Sequence, residues 1–174
     1  MCRTWVFLVL VLGGNAALAE TYKMSKSAGG TCGDITVRAM LPLNMVMDAP
    51  ADATVEDMSV DKAPGSRLFS EDYKWAVRVI AATKRDLDFA KAKKEVIARA
   101  KKSGNKLAWK ASGKTADGYR LLYTTTEKDG TTSYTTIYLR TLEKKKWVCW
   151  NDSEWADSHE CVAKACESLR TPPP

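Results

Sequence analysis

The 174-residue chain reads as an α+β domain: an antiparallel β-sheet flanked by a central amphipathic helix and a C-terminal helix, and stapled by disulfides. Three observations predict it. Apolar and polar residues alternate with period two over residues 35–41, 73–81 and 107–150, the pattern of half-buried strands. Helical spacing is confined to two stretches, around residues 89–100 and 155–169. Beyond an apolar leader stand four cysteines, Cys32, Cys149, Cys161 and Cys166, an even number that permits complete pairing.

The leader comes first. Arg3, an apolar run over residues 5–12, and Ala17, Leu18 and Ala19 before Glu20 have the charged start, short apolar stretch and small-residue cleavage site of a secretory signal peptide over 1–19. Export to a periplasm or to the extracellular space follows, and with it an oxidising environment for the cysteines. Cys2 precedes the apolar run and Cys32 lies well past it, so no lipid anchor is expected. No second apolar stretch reaches membrane-spanning length. Residues 20–33 read as a mobile lead-in, 34–170 as one domain and 171–174 as a Pro-rich tail.

Within the domain, Ile35, Val37, Ala39 and Leu41 alternate with Thr36, Arg38 and Met40, and Pro42 then interrupts the ladder. Residues 43–47 resume as an edge or partner strand before an acidic, proline-punctuated loop, and 55–60 hold a short strand. Pro64, Gly65 and Ser66 read as a turn. Tyr73, Trp75, Val77, Val79 and Ala81 form the clearest strand of the first half. Thr83 with Asp86 resembles a capping pair for the central helix, on which Phe89, Ala92, Val96, Ile97 and Ala100 share one face over about five turns. Gly104 closes it as a C-cap.

The remainder reads as a meander. Leu107, Trp109 and Ala111 open it, Tyr119, Leu121, Tyr123 and Thr125 continue, Asp129 and Gly130 turn, and 134–142 return. After a turn at 143–146 comes a last strand over 147–150. Asp152 or Ser153 caps a final helix, with Trp155, His159, Val162, Cys166 and Leu169 on one stripe.

A strand running into Pro42, one central helix, an antiparallel meander and a helix ending in Ser168, Leu169 and Arg170 together resemble the PsbP-like superfamily of photosystem extrinsic, DcrB and Mog proteins. The resemblance implies a sheet sandwiched by helices and roles that are mostly binding or accessory. The four cysteines are an addition to that family's pattern.

On a continuous helix Cys161 and Cys166 diverge by roughly 140°, so a bond between them would break the helix. Cys166 shares the sheet-facing stripe, which favours Cys149 with Cys166 and leaves Cys32 for Cys161. A zinc or redox site would need C-x-x-C knuckles, and none is present. His159, the single histidine, lacks a nucleophile motif and reads as a packing residue, with a small secreted hydrolase as the alternative. The run Ser112, Gly113, Lys114, Thr115 resembles the end of a phosphate-binding loop but lies between strands, and a hairpin turn explains it better. Asn151, Asp152, Ser153 form a glycosylation sequon.

Charge is concentrated. Residues 84–114 carry eleven Lys and Arg against three acids, while 20–83 carry seven against nine and 115–174 eight against nine. A solvated helix face accounts for such a run, and so does an anionic partner. The candidate contact surfaces are therefore Lys91, Lys94, Lys101 and Lys102 on the central helix, and Tyr134, Tyr138, Trp147 and Trp150 as an aromatic platform. Trp147 and Trp150 differ by an odd number of strand positions, so one indole is expected inside and the other nearer the surface. The chain reads as an exported, non-enzymatic binding or accessory protein with an unidentified protein partner. The alternative is a basic binder of an anionic polymer or membrane surface. No cofactor, metal or specific nucleic acid is expected.

Overall fold

The computed structural model describes residues 32–59, 63–71, 75–152 and 159–173. The leader, most of the lead-in, Tyr73, Ser153, Trp155 and the last proline lie outside the described residues.

Strands β1 (Ile35–Met40) and β2 (Met45–Pro50) form a separate antiparallel hairpin, Val37 opposite Asp48 and Ala39 opposite Val46. Then come β3 (Thr54–Asp57), β4 (Gly65–Phe69), β5 (Ala76–Ala81), α1 (Phe89–Ser103), β6 (Lys106–Thr115), β7 (Gly118–Thr126), β8 (Thr132–Leu142), β9 (Lys145–Asn151) and α2 (His159–Ser168). The seven later strands make one sheet in the order β3-β4-β5-β9-β8-β7-β6. The meander β6–β9 folds back so that β9 pairs with β5, Val79 opposite Cys149 and Ile80 opposite Val148. That long-range pairing joins the two halves of the chain.

Because neighbouring strand residues point to opposite faces, the sheet has two different sides. On one, Leu68, Val77, Val79, Tyr138, Trp147 and Cys149 pack under α2 and the β1–β2 hairpin, whose Met40, Met45 and Met47 complete the core. On the other, Tyr119, Leu121, Tyr123, Leu139 and Val148 pack under α1, which buries only Val96 and Ala100 fully.

Both disulfides form, Cys32–Cys161 and Cys149–Cys166, with Cα separations of 5.4 and 5.7 Å. Cys149 is on β9 and Cys166 on the buried side of α2, so this bond pins helix to sheet. The Ser168–Leu169–Arg170 ending has a mechanical role. The Ser168 hydroxyl accepts from the Asp48 N–H at 2.8 Å, Leu169 is buried, and Arg170 bridges Val46 and pairs with Asp48 at 2.9 Å. The proline-terminated first strand and the last three residues of the domain thus meet at β2. At the end of α2, Arg140 donates to the carbonyls of Cys166 and Glu167, which have no partner within the helix, and pairs with Asp117.

Several local expectations are corrected. Asp88, not Thr83, caps α1, its carboxylate accepting from the Lys91 N–H at 3.0 Å. Thr83 and Asp86 instead close a turn just before it. The helix has fifteen residues, about four turns rather than five, and Gly104 ends it in the left-handed region as expected. Gly65 and Ser66 open β4 instead of turning. A Cβ on Gly65 would stand 2.8 Å from the Met58 carbonyl oxygen, so the glycine serves a close backbone approach. Residues 112–115 continue β6, and the reversal falls at 116–117. There Gly118 lies where a Cβ would come within 2.0 Å of the Leu139 oxygen. The Asp152 carboxylate is held by Arg67 at 2.6 Å and Arg78 at 2.9 Å, and the helix start it was expected to cap lies outside the described residues.

The two sheet edges are guarded differently. Edge strand β6 carries exposed Lys106, Lys110 and Lys114 and a register shift between Trp109 and Ala111, while β3 is short and exposes Glu56 and Asp57. Charge, a bulge and brevity are all devices against edge-to-edge pairing.

Candidate functional site: a basic helix beside a cation-lined sheet face

Helix α1 crosses one end of the sheet, touching β6 and β7. Phe89, Ala92, Val96 and Ala100 turn inward, and Lys91, Lys94, Lys101 and Lys102 are all exposed on the remaining surface. Lys101 and Lys102 stand in the last turn, where positive charge complements the helix dipole. Two large apolar side chains interrupt this surface, Ile97 at 46% and Leu87 at 41% exposure. Lys93, by contrast, folds inward, its ammonium 5.1 Å from the Trp109 ring and 3.1 Å from the Ser112 hydroxyl.

Next to α1 the same sheet face continues over β9, β5 and β4. The Arg78 guanidinium lies over the Trp150 ring at 5.6 Å and that of Arg67 over Phe69 at 5.2 Å, with Ile137 and Ile80 half-buried alongside. Arg67 and Arg78 converge on Asp152, and Glu56 stands 3.9 Å from Arg67. Cation–π contacts of this kind hold guanidinium groups flat against aromatic rings. The sequence did not single out Arg67 or Arg78, and Asp152 was expected to cap a helix rather than to bind them. Arg78 is visible as the polar member of an alternating strand, but its neighbour Trp150 is reached only through the β5–β9 register.

The aromatic platform does not assemble. Trp150 faces the α1 side, whereas Tyr134, Tyr138 and Trp147 belong to the α2 side. Tyr138 and Trp147 are 2% and 6% exposed, so neither is presented to a partner. The reason is the pairing of β8 with β9 under α2. Tyr138 packs in the core and donates its hydroxyl to Glu167 at 2.7 Å, and burial followed by that hydrogen bond pushes its pKa up. Trp147 and Trp150 do divide between inside and surface, as their spacing implies.

His159 opens α2 with its ring 5.5 Å from Tyr134, and its buried Nε2 has no hydrogen-bond partner among the described residues. The Asn151 amide is committed at both ends, accepting from the Thr136 N–H at 2.6 Å and donating to the Tyr134 carbonyl at 2.8 Å. Among the described residues no cluster of three or more His, Cys, Asp or Glu is placed to hold a metal ion. No described helix is long and apolar enough to cross a membrane.

No family model matches the chain, and no curated protein matches its sequence. Among solved structures it is similar to the solution structure of cyanobacterial PsbP (CyanoP) from Synechocystis sp. PCC 6803. The TM-score is 0.52 and the identity 11%, covering 86% of this chain and 98% of that one. The likeness is one of fold, and it is the PsbP-like fold expected from the order of elements.

Proposed function

We propose that the chain is an exported, non-enzymatic accessory protein that holds an acidic partner protein against the α1 side of its sheet. One observation carries this reading: four lysines stand exposed on a helix fixed to the sheet, beside two guanidinium groups stacked on aromatic rings. Such a surface attracts anionic groups and orients them through flat cationic contacts. The disulfides suit an oxidising compartment, and the apolar leader supports passage to it. The shared fold supports an accessory role by analogy alone.

The test is a pull-down from extract of the protein's own source with oxidised wild type and a Lys91, Lys94, Lys101, Lys102→Ala variant in parallel. A protein retained by wild type through a high-salt wash and lost with the variant supports the reading. Equal retention by both moves the contact off this face and overturns it. A second reading, an anionic membrane surface, has its own observation in Ile97 and Leu87 exposed among the lysines. Salt-reversible retention on anionic vesicles, with no protein partner, would favour it.

A further inference from the structure

An open cleft of about 540 Å³ lies between the start of α1, the β6–β7 turn and the β8–β9 end of the sheet. Its size falls within the range of small-ligand sites. Lys114 of β6 and Lys146 of β9 line it, both exposed and neither in an ion pair among the described residues. Each carboxylate at the cleft is already engaged. Asp88 caps α1, and Asp117 pairs with Arg140 and accepts from the Thr115 hydroxyl at 3.0 Å. Asp86, just behind, accepts from Thr83. What remains unspent are donors.

The first N–H groups of α1, at Phe89 and Ala90, have no partner within the helix, and a helix start favours negative charge. A second observation points the same way. Tyr119 lines the cleft, is only 3% exposed, packs at a tilt against Phe89 with ring centroids 5.7 Å apart, and its hydroxyl makes no hydrogen bond among the described residues. Burial first, then the charges of Asp86, Glu95 and Asp88, push its pKa up to about 12, so it keeps its proton and offers a donor. Leu87, Phe89 and Leu139 supply an apolar wall.

We propose that this cleft binds a monoanionic carboxylate carried on an apolar group, the charge held by Lys114, Lys146, the Tyr119 hydroxyl and the start of α1. The acids around Tyr119 oppose any anion, a dianion more than a monoanion, so the attraction comes from Lys114, Lys146 and the helix start. A small organic acid and the C-terminus of a polypeptide present the same chemistry. The site is distinct from the outward lysines of α1, so it stands or falls separately from the proposed partner contact.

The experiment is a ¹⁵N–¹H titration of the oxidised protein with hexanoate, with hexanol and inorganic phosphate as controls. Saturable shifts at Phe89, Ala90, Gly118 and Tyr119 are expected with hexanoate alone. A Lys114→Ala, Lys146→Ala double variant should weaken binding roughly tenfold and Tyr119→Phe roughly threefold, while Lys101→Ala, Lys102→Ala leaves it unchanged. Absence of saturation below about 10 mM, an equal response to hexanol, or full binding by the Lys114, Lys146 variant would overturn the assignment. A peptide ending in leucine, compared with its C-terminal amide, separates the sources. Tighter binding than hexanoate marks a polypeptide terminus, and weaker binding marks a small acid.

Discussion

Under α2 the sheet meets a helix that buries Cys161, Val162, Ala163, Ala165 and Cys166, crossed by a disulfide and sealed by Arg140, Arg170 and Ser168. Under α1 it meets a longer helix that buries Val96 and Ala100 and turns most of its lysines to water. The same sheet thus has one densely buried, cross-linked side and one lightly covered side. Burial and cross-linking raise local stability, whereas few buried contacts leave an element nearer the labile end of the range. A surface that must meet a partner is drawn from the second kind.

The comparison can be broken most severely at the staples. Cys32 and Cys161 are 129 residues apart and Cys149 and Cys166 only 17. Loop-closure entropy therefore predicts a loss of about 5 kcal/mol for Cys32→Ala, Cys161→Ala and about 3 kcal/mol for Cys149→Ala, Cys166→Ala. Denaturant unfolding of the two double variants checks the order, and a reversed order would mean that local packing outweighs chain entropy. Next, Leu169→Ala on the α2 side should cost about 2–5 kcal/mol by opening a cavity, whereas Ile97→Ala on α1 should stay within about 0.5 kcal/mol. Equal costs would dissolve the contrast between the two sides.

Alkaline titration probes both sides together. Burial raises the pKa of Tyr119 on the α1 side and of Tyr138 on the α2 side. A raised tyrosine contributes stability that is complete below its unfolded pKa of about 10. That contribution is lost as pH climbs through the folded value, about 12 for Tyr119. The thermal midpoint should therefore fall from pH 10 upward, and Tyr119→Phe and Tyr138→Phe should each flatten the fall.

A smaller effect belongs to the helix start. Asp88→Ala removes the cap of α1 and should cost about 1 kcal/mol, with faster amide exchange in the first turn of α1 than anywhere in α2. Smallest of all, the four-lysine variant should unfold within about 0.5 kcal/mol of wild type while losing most of its salt-dependent retention on an acidic matrix. A large loss of stability there would make those lysines structural and remove the contact reading.

Much of this was legible in the chain itself. Alternation located β5 and β7 because Val77 and Val79 on one, and Tyr119, Leu121 and Tyr123 on the other, each line a core, and helical spacing located α1 through Phe89, Ala92, Val96 and Ala100, although Ile97, read on the same face, is exposed. Helix geometry favoured pairing Cys149 with Cys166, since residues five apart on a helix diverge, although both Cys161 and Cys166 prove to be buried. Asp129 and Gly130 announced their turn, and Gly130 takes the positive φ it requires.

Other features have no local signal. Gly65 and Ser66 look like a turn, yet pairing with Ile80 and Val79 makes them a strand. Tyr138 and Trp147 look like a platform, and become core because β9 lies between β5 and β8 beneath α2. Trp150 gained its guanidinium, and Tyr119 its place in a cleft that two lysines also line, from strands and a helix far apart in sequence. Period and spacing depend on near neighbours along the chain, so the amino-acid sequence alone determined most of the elements and the charged segment, and favoured the cysteine pairing that forms. Register and layer order depend on contacts between distant segments, so only the tertiary structure decided which face each aromatic occupies and where a ligand-sized cleft opens.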